Sequence, residues 1–218
     1  MKRHSLIICF LLFVVLATSN SLSAQDTTMS EEEYDKVAAI FRSFLSKEPY
    51  RVRYTHETFP SEEAKEPEKI NKWMTEYIKP DREHNFYGLN ASEPSAKYER
   101  IVIAERIFTN KDGKWKELSP SKGGFGGGSG AASAEYFNRG TEKIDGRVTN
   151  VYESIITERF ARGSGPWQLS YYRSKIWVSK DGRIRKYVGE SDAKITKRNR
   201  TTEIYEYDSK IKIEAPIK

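Results

Sequence analysis

Cysteine is almost missing: the single residue, Cys9, lies among the first 24 amino acids. The chain beyond residue 24 has no thiol. It can form no disulfide, offer no thiolate nucleophile and ligate no metal through sulfur. Histidine is scarce as well. Of three, only His56 and His84 fall beyond residue 24. Each sits beside a glutamate, in His56-Glu57 and Glu83-His84, and neighbouring side chains on a strand point to opposite faces, so neither pair is a ready chelate. There is no Gly-X-Ser-X-Gly elbow; Ser164 in Gly163-Ser164-Gly165-Pro166 reads as part of a turn. Long apolar runs are missing too. The longest, Leu6 to Ala17, is about a dozen residues, against the roughly 20 needed to span a bilayer as a helix.

That run has another use. Lys2, Arg3 and His4 precede it, and Ser21-Leu22-Ser23-Ala24 follows it before Gln25. A basic start, a short apolar stretch and a small-residue cleavage pattern read as a secretory leader over residues 1–24. The competing reading is a retained anchor. A lipoprotein tether is disfavoured, because Cys9 lies inside the apolar run rather than directly after the cleavage point. Residues 25–218 suit one domain with a sizeable core. Without Lys2 and Arg3, the 37 basic residues fall by two, against 31 acidic ones. This small, interspersed excess gives no clustered basic face and no reason to expect nucleic acid.

Along the chain, residues 30–47 carry Tyr34, Val37, Ala38, Phe41, Phe44 and Leu45 at helical spacing, with Ser30 and Glu33 placed for a capping box. This reads as a helix packed on the core, with a moving lid as the alternative. Tyr50 to Tyr54 alternates as a strand. Residues 57–69 are acidic and hold Pro60 and Pro67, which suggests a solvated connection with helical tendency. Residues 70–78 fit either a helix or a strand. From residue 97 nearly everything reads as strand. Asp112-Gly113, Asp145-Gly146 and Asp181-Gly182 mark tight hairpin turns, since Asp-Gly supplies positive φ angles. The pairings expected are 98–109 with 114–118, 147–161 with the segment before it, and 169–179 with 183–189. A last strand covers 200–208, with an extension at 210–214.

The glycine-rich stretch 123–130 lacks the lysine and Ser/Thr of a nucleotide loop, and reads as a flexible loop or a ligand-gating flap. The basic stretch 194–200 reads as a solvated turn, or as a patch facing anionic lipid headgroups. Several strands are apolar on both parities. In 147–160, Val151 and Ile155 oppose Tyr152, Ile156 and Phe160; in 101–108, Ile101, Ile103 and Ile107 oppose Val102, Ala104 and Phe108. A sheet with two apolar faces must cover both. A helix can take one face. The other can pack ordinarily or line a cavity for an apolar ligand.

The ending Thr202-Glu203-Ile204-Tyr205-Glu206-Tyr207-Asp208-Ser209-Lys210-Ile211-Lys212-Ile213-Glu214-Ala215-Pro216 resembles that of LolA-like proteins, the periplasmic lipoprotein-carrier superfamily. Trp177 to Ile184 looks like that family's penultimate hairpin, and Lys143-Ile144-Asp145-Gly146-Arg147 to Glu153 like its middle one. Ile78 to Arg82, Glu99 to Ile103 and Gly113-Lys114-Trp115 are similar to its early strands. The resemblance implies a mainly β, α+β fold: an open antiparallel half-barrel of about ten strands wrapped over an N-terminal helix and short helices. It also implies a non-enzymatic protein without metal or organic cofactor. The partner it implies is a lipid or a lipoprotein acyl chain, with peripheral membrane contact. The glycine loop and the acidic 57–69 segment depart from that pattern. Arg51 and Arg53 both lie where the carrier's functional arginine would fall, and no motif chooses between them.

The ligand-binding set expected is one parity of the strands: Tyr50, Val52, Tyr54, Ile101, Ile103, Val151, Ile155, Tyr171 and Trp177. The alternatives are an envelope module that binds another protein without a lipid, and a hydrolase using paired carboxylates.

Overall fold

The computed structural model describes residues 26–87, 98–118, 129–160, 168–193 and 197–217. The expected leader at 1–24 and the core of the glycine-rich stretch lie outside these residues.

One antiparallel sheet dominates. Its strands are β1 (Thr27–Met29), β2 (Tyr50–Thr58), β3 (Lys69–Ile78), β4 (Arg82–Tyr87), β5 (Tyr98–Ile103), β6 (Arg106–Lys111), β7 (Lys114–Leu118), β8 (Ser129–Ile144), β9 (Arg147–Phe160), β10 (Gln168–Ser179), β11 (Ile184–Ala193) and β12 (Asn199–Tyr207). They are ordered β1-β8-β9-β10-β11-β12-β2-β3-β4-β5-β6-β7, so β12 joins the two halves by pairing with β2. The sheet does not close on itself. This is the open half-barrel expected, with twelve strands among the described residues rather than about ten.

One helix, α1 (Glu31–Leu45), is found among the described residues. Ser30 caps it: the Glu33 amide donates to Ser30 Oγ at 3.2 Å, and the Ser30 amide donates to Glu33 Oε2 at 2.8 Å. Glu31, Glu32 and Glu33 fill the first turn and Arg42 the last, matching the helix dipole.

The three Asp-Gly pairs each join a hairpin. Asp112 and Gly113 lie at φ 53° and 79°, and Asp145 and Gly146 at 49° and 76°. At the third, Gly182 takes φ 82° and its amide donates to the Ser179 carbonyl at 2.8 Å. A fourth turn was not expected. Ala104 takes φ 51°, and the span 98–109 folds back on itself as β5 and β6, with Ile101 opposite Phe108 and Ile103 opposite Arg106. The reversal cancels the alternation read across 101–108, so Ile101 and Phe108 share a face. Two other expectations change, and the choice left open at 70–78 is settled as strand. The 59–68 connection holds no helix, and 210–214 is irregular.

Successive side chains on a strand alternate between faces, and the register fixes which residues share one. The helix face carries Ser154 and Ile156 of β9, Tyr172, Ser174 and Ile176 of β10, and Tyr187 of β11. It continues through Glu203, Tyr205 and Tyr207 of β12 to Tyr50, Val52 and Tyr54 of β2, then to Trp73, Thr75 and Tyr77 of β3. α1 lies on this face. Tyr34 stacks on Tyr136 at 4.5 Å, and Leu45 packs on the buried cluster Ile176, Val178 and Ile184.

The other face is covered at the β4–β7 end by the closing segment. Ile211 and Ile213 bury against Ile101 and Phe108, with Ile78, Ile103 and Trp115 around them. Arg82 Nη1 holds the segment in place by donating to the Ile213 carbonyl at 3.0 Å.

Candidate functional site

The helix face is paved with tyrosine. Tyr50 stacks on Tyr77 at 4.8 Å and lies 6.2 Å from Tyr205 and 6.0 Å from Tyr207, ring centre to ring centre. Tyr54 stacks on Trp73 at 4.8 Å, and the Tyr54 and Tyr77 hydroxyls are 3.1 Å apart. Tyr172 and Tyr187 share a hydrogen bond nearer α1. Gly189 makes room for that pair: a Cβ there would meet the Tyr187 hydroxyl at 2.9 Å. Tyr54, Tyr77, Tyr172, Tyr187, Tyr205 and Tyr207 are all partly exposed, although they sit on the inner side of the fold. The rings therefore present accessible aromatic surface instead of closing into a dry core.

Burial pushes the phenols of Tyr50, Tyr54, Tyr187 and Tyr205 well above the usual tyrosine range, and the nearby Glu203 carboxylate adds to the effect on each. Tyr207 is pushed up to about 12 by burial, with Arg185 and Arg183 pulling the other way. These hydroxyls are neutral donors and acceptors at any physiological pH.

Glu203 sits within this band. It opposes Tyr54 on β2 and Tyr187 on β11, and the Tyr205 hydroxyl donates to its Oε2 at 2.5 Å. Burial raises its carboxyl above the ordinary range, and the Tyr205 hydrogen bond opposes that only in part.

Two cavities open onto the band. One, of about 680 Å³, reaches Tyr205 and Tyr207 past Glu48, Arg147, Arg183 and Arg185. Its arginines are largely committed. Arg183 bonds Glu48 at 2.7 Å and Asp181 at 2.9 Å, and Arg185 Nε donates to Ser179 Oγ at 3.1 Å. The other, of about 370 Å³, reaches Tyr50 between Leu45 and Pro80, with Arg42 and Lys79 on its rim.

The opposite face is built differently. It carries the cross-strand ion pairs Arg51–Glu76 (Nε to Oε1, 2.9 Å), Arg53–Glu206 (2.8 Å) and Arg200–Glu57 (2.7 Å). Glu153 is fully buried there between Arg139 and Arg173, which hold its carboxyl below the ordinary range against the cost of burial. On the helix face, Glu83 and Arg100 approach only to 3.7 Å.

The expected binding set is divided between the faces. Tyr50, Val52 and Tyr54 are together on the helix face, where Tyr50 and Val52 are buried. Ile101 and Ile103 belong to the cluster under the closing segment. Val151, Ile155, Tyr171 and Trp177 also alternate to the outer face. Val151 and Trp177 are buried there, and Trp177 Nε1 donates to Glu142 at 2.8 Å. Residues 31–45 read correctly as helix, but parity along one strand does not carry across a turn or bulge to the next. Trp73, Tyr77, Tyr187, Glu203, Tyr205 and Tyr207 were not expected at the site. The alternation Glu203-X-Tyr205-X-Tyr207 already puts three of them on one face.

Other expectations resolve as well. His56 lies on the helix face, bonded to Thr201 Oγ1 at 3.0 Å, while His84 lies on the outer face 2.9 Å from Glu99, so the two histidines are not brought together. Arg51 and Arg53 both point to the outer face, each in an ion pair. In the basic stretch, the described residues are engaged internally: Lys197 with Glu68, Arg198 with the Ala64 carbonyl at 2.7 Å and the Phe59 ring, and Arg200 with Glu57. No cluster of acidic and histidine side chains suited to a metal is found among the described residues, and no described helix is long and apolar enough to cross a membrane.

No protein-family model matches the sequence, and neither does any curated protein. The three-dimensional comparison does find similar folds. The chain resembles LprF from Mycobacterium bovis at 11% identity over 87% of this chain and 99% of that one, with a TM-score of 0.51. Weaker likenesses are to the Mycobacterium tuberculosis lipoprotein LppX (9% identity, 85% and 100% covered, TM-score 0.45) and to a LolA superfamily protein, NE2245 of Nitrosomonas europaea (11%, 78% and 91%, TM-score 0.32). The fold is thus shared with LprF over most of both chains.

Proposed function

We propose that this protein is a non-enzymatic binder of an apolar or lipid-like ligand, a lipid or the acyl chain of a lipoprotein. The mature chain would be residues 25–218, exported to the periplasm behind the 1–24 leader. The ligand lies between α1 and the tyrosine band. The observation that carries this reading is the partly exposed aromatic surface on the inner face of the half-barrel, with a cavity opening at Tyr205 and Tyr207 and another at Tyr50. Ligand sites of this kind are concave and mostly apolar, with a few polar groups that orient the guest. The resemblance of the sequence to LolA-like proteins points the same way.

Affinity comes from burial. At about 0.8 kcal/mol per CH₂, a twelve-carbon chain brings roughly 9 kcal/mol before the cost of association is paid. Micromolar binding takes about 8 kcal/mol net, so ring contacts and polar groups at the walls must supply the remainder. The hydroxyl-rich walls favour a ligand with a polar group over a bare hydrocarbon.

The reading is tested by titrating a fluorescent acyl probe into the purified mature protein. Saturable uptake with a blue-shifted emission is expected. Tyr54→Ala and Tyr205→Ala should weaken it several-fold, whereas Tyr171→Ala, on the outer face, should leave it unchanged. No uptake, or equal loss at Tyr171, contradicts the reading.

A further inference from the structure

We infer that the ligand carries a protonated amine, whose head group is received by Glu203 and the tyrosine hydroxyls around it. The inference rests on the reading of the helix face as the ligand site.

The two faces of the sheet differ in how their acids are partnered. On the outer face, the buried or half-buried acids Glu76, Glu153 and Glu57 each have an arginine. Glu203 has none: among the described residues no Lys, Arg or His reaches ion-pair distance of its carboxyl, and its hydrogen-bond donor is the neutral Tyr205. An acid withdrawn from water without a cation costs stability, and such groups are normally paired. Among the described residues nothing offsets that cost, so the missing partner is sought in the ligand.

The surroundings suit an ammonium group. Tyr54 and Tyr187 flank Glu203 on the two neighbouring strands, and Tyr205 follows on its own. Their hydroxyls accept hydrogen bonds, and their rings favour cations. The Glu203 carboxyl lies above its ordinary range because of burial, so an incoming cation would lower it and be held as an ion pair. Another charged setting to weigh is the rim pair Arg42 and Lys79, which borders the smaller cavity without an acid in its lining. Those side chains are exposed, and water already solvates them.

The experiment compares dodecylammonium, dodecanol and dodecanoate, each below its micelle concentration, by calorimetric titration against the mature protein. Dodecylammonium should bind about tenfold more tightly than dodecanol, the scale of one charged hydrogen bond. In Glu203→Gln that preference should vanish while dodecanol binding persists. Equal binding of the ammonium and the alcohol by the native protein overturns the inference and leaves the proposed function standing. So does an ammonium preference that survives in Glu203→Gln. Preference for dodecanoate also overturns it, and places the head group at Arg42 and Lys79. If none of the three binds, the reading of the helix face fails with it. The native comparison needs no variant, so misfolding of Glu203→Gln would not rescue the claim.

Discussion

The Tyr205 hydroxyl donates to Glu203 at 2.5 Å on the inner face of β12, while Glu206, one residue along, turns outward to pair with Arg53 at 2.8 Å. A single strand thus holds one acid paired with an arginine and one that meets no cation among the described residues. The difference gives the first prediction.

Because burial raises the Glu203 carboxyl, the charged form is penalised in the folded state alone. Below the ordinary carboxylate pKa both states are protonated, and the penalty is absent. As pH rises above that value the unfolded chain ionises first and stability falls, until the folded carboxyl also ionises. Glu203→Gln keeps an acceptor for Tyr205 and removes the penalty. In the ligand-free protein its melting temperature should exceed the parent's by a few degrees at pH 7 and match it near pH 4. Thermal melts across that range check the sign.

Glu153 should behave in the opposite way. It is fully buried and held by Arg139 and Arg173, with Arg139 also reaching Asp26 at 2.7 Å. Arg139 keeps Asp26 and Arg173 is half-exposed, so the arginines are not stranded, and Glu153→Ala should cost about 1.5–3 kcal/mol in urea unfolding, the scale of a lost charged hydrogen bond. Its lowered carboxyl contributes stability that is present above the ordinary carboxylate pKa and is lost as pH falls through the folded value.

The turn at Gly182 fixes where the end of α1 sits. At φ 82°, any side chain is strained by about 1–2 kcal/mol. A Cβ there would also press into the Phe44 ring and come within 3.1 Å of Ile40 Cγ2. Gly113 has nearly the same φ, 79°, and nothing within 4 Å. Gly182→Ala should therefore destabilise more than Gly113→Ala, and hydrogen exchange should rise in the second half of α1 only for the former.

The closing segment is tested at Ile213, which is 1% exposed. Ile213→Ala should cost about 2–5 kcal/mol, with exchange increasing in β5 and β6 first. Unchanged stability would show that residues 208–217 do not form part of the core.

Much of this architecture could be read from local chemistry. The Ser30 cap, the Asp-Gly turns and the alternation of Tyr50-Val52-Tyr54 depend on neighbouring residues only, and each appears where expected. The turn at Ala104 did not announce itself, because Ala-Glu carries none of the usual turn chemistry. That hidden reversal put Phe108 on the face of Ile101, while the registers of β3, β4 and β5 put Ile101 on the face opposite Tyr50. Site membership depended on how strands are registered across the sheet. The long-range pairing of β12 with β2 sets that, and no local pattern encodes it. Glu203 could be seen as an acid among tyrosines, but its lack of a cation appears only once both neighbouring strands are in place.

Native mass spectrometry of the mature protein, purified without detergent from cells that export it, tests the central claim most directly. A ligand-bearing species should appear, with an extra mass that lipid extraction and fragmentation assign to an acyl-chain molecule, and Tyr54→Ala with Tyr205→Ala should diminish it. A protein that is uniformly ligand-free, and that takes up no acyl probe when one is supplied, would contradict the account.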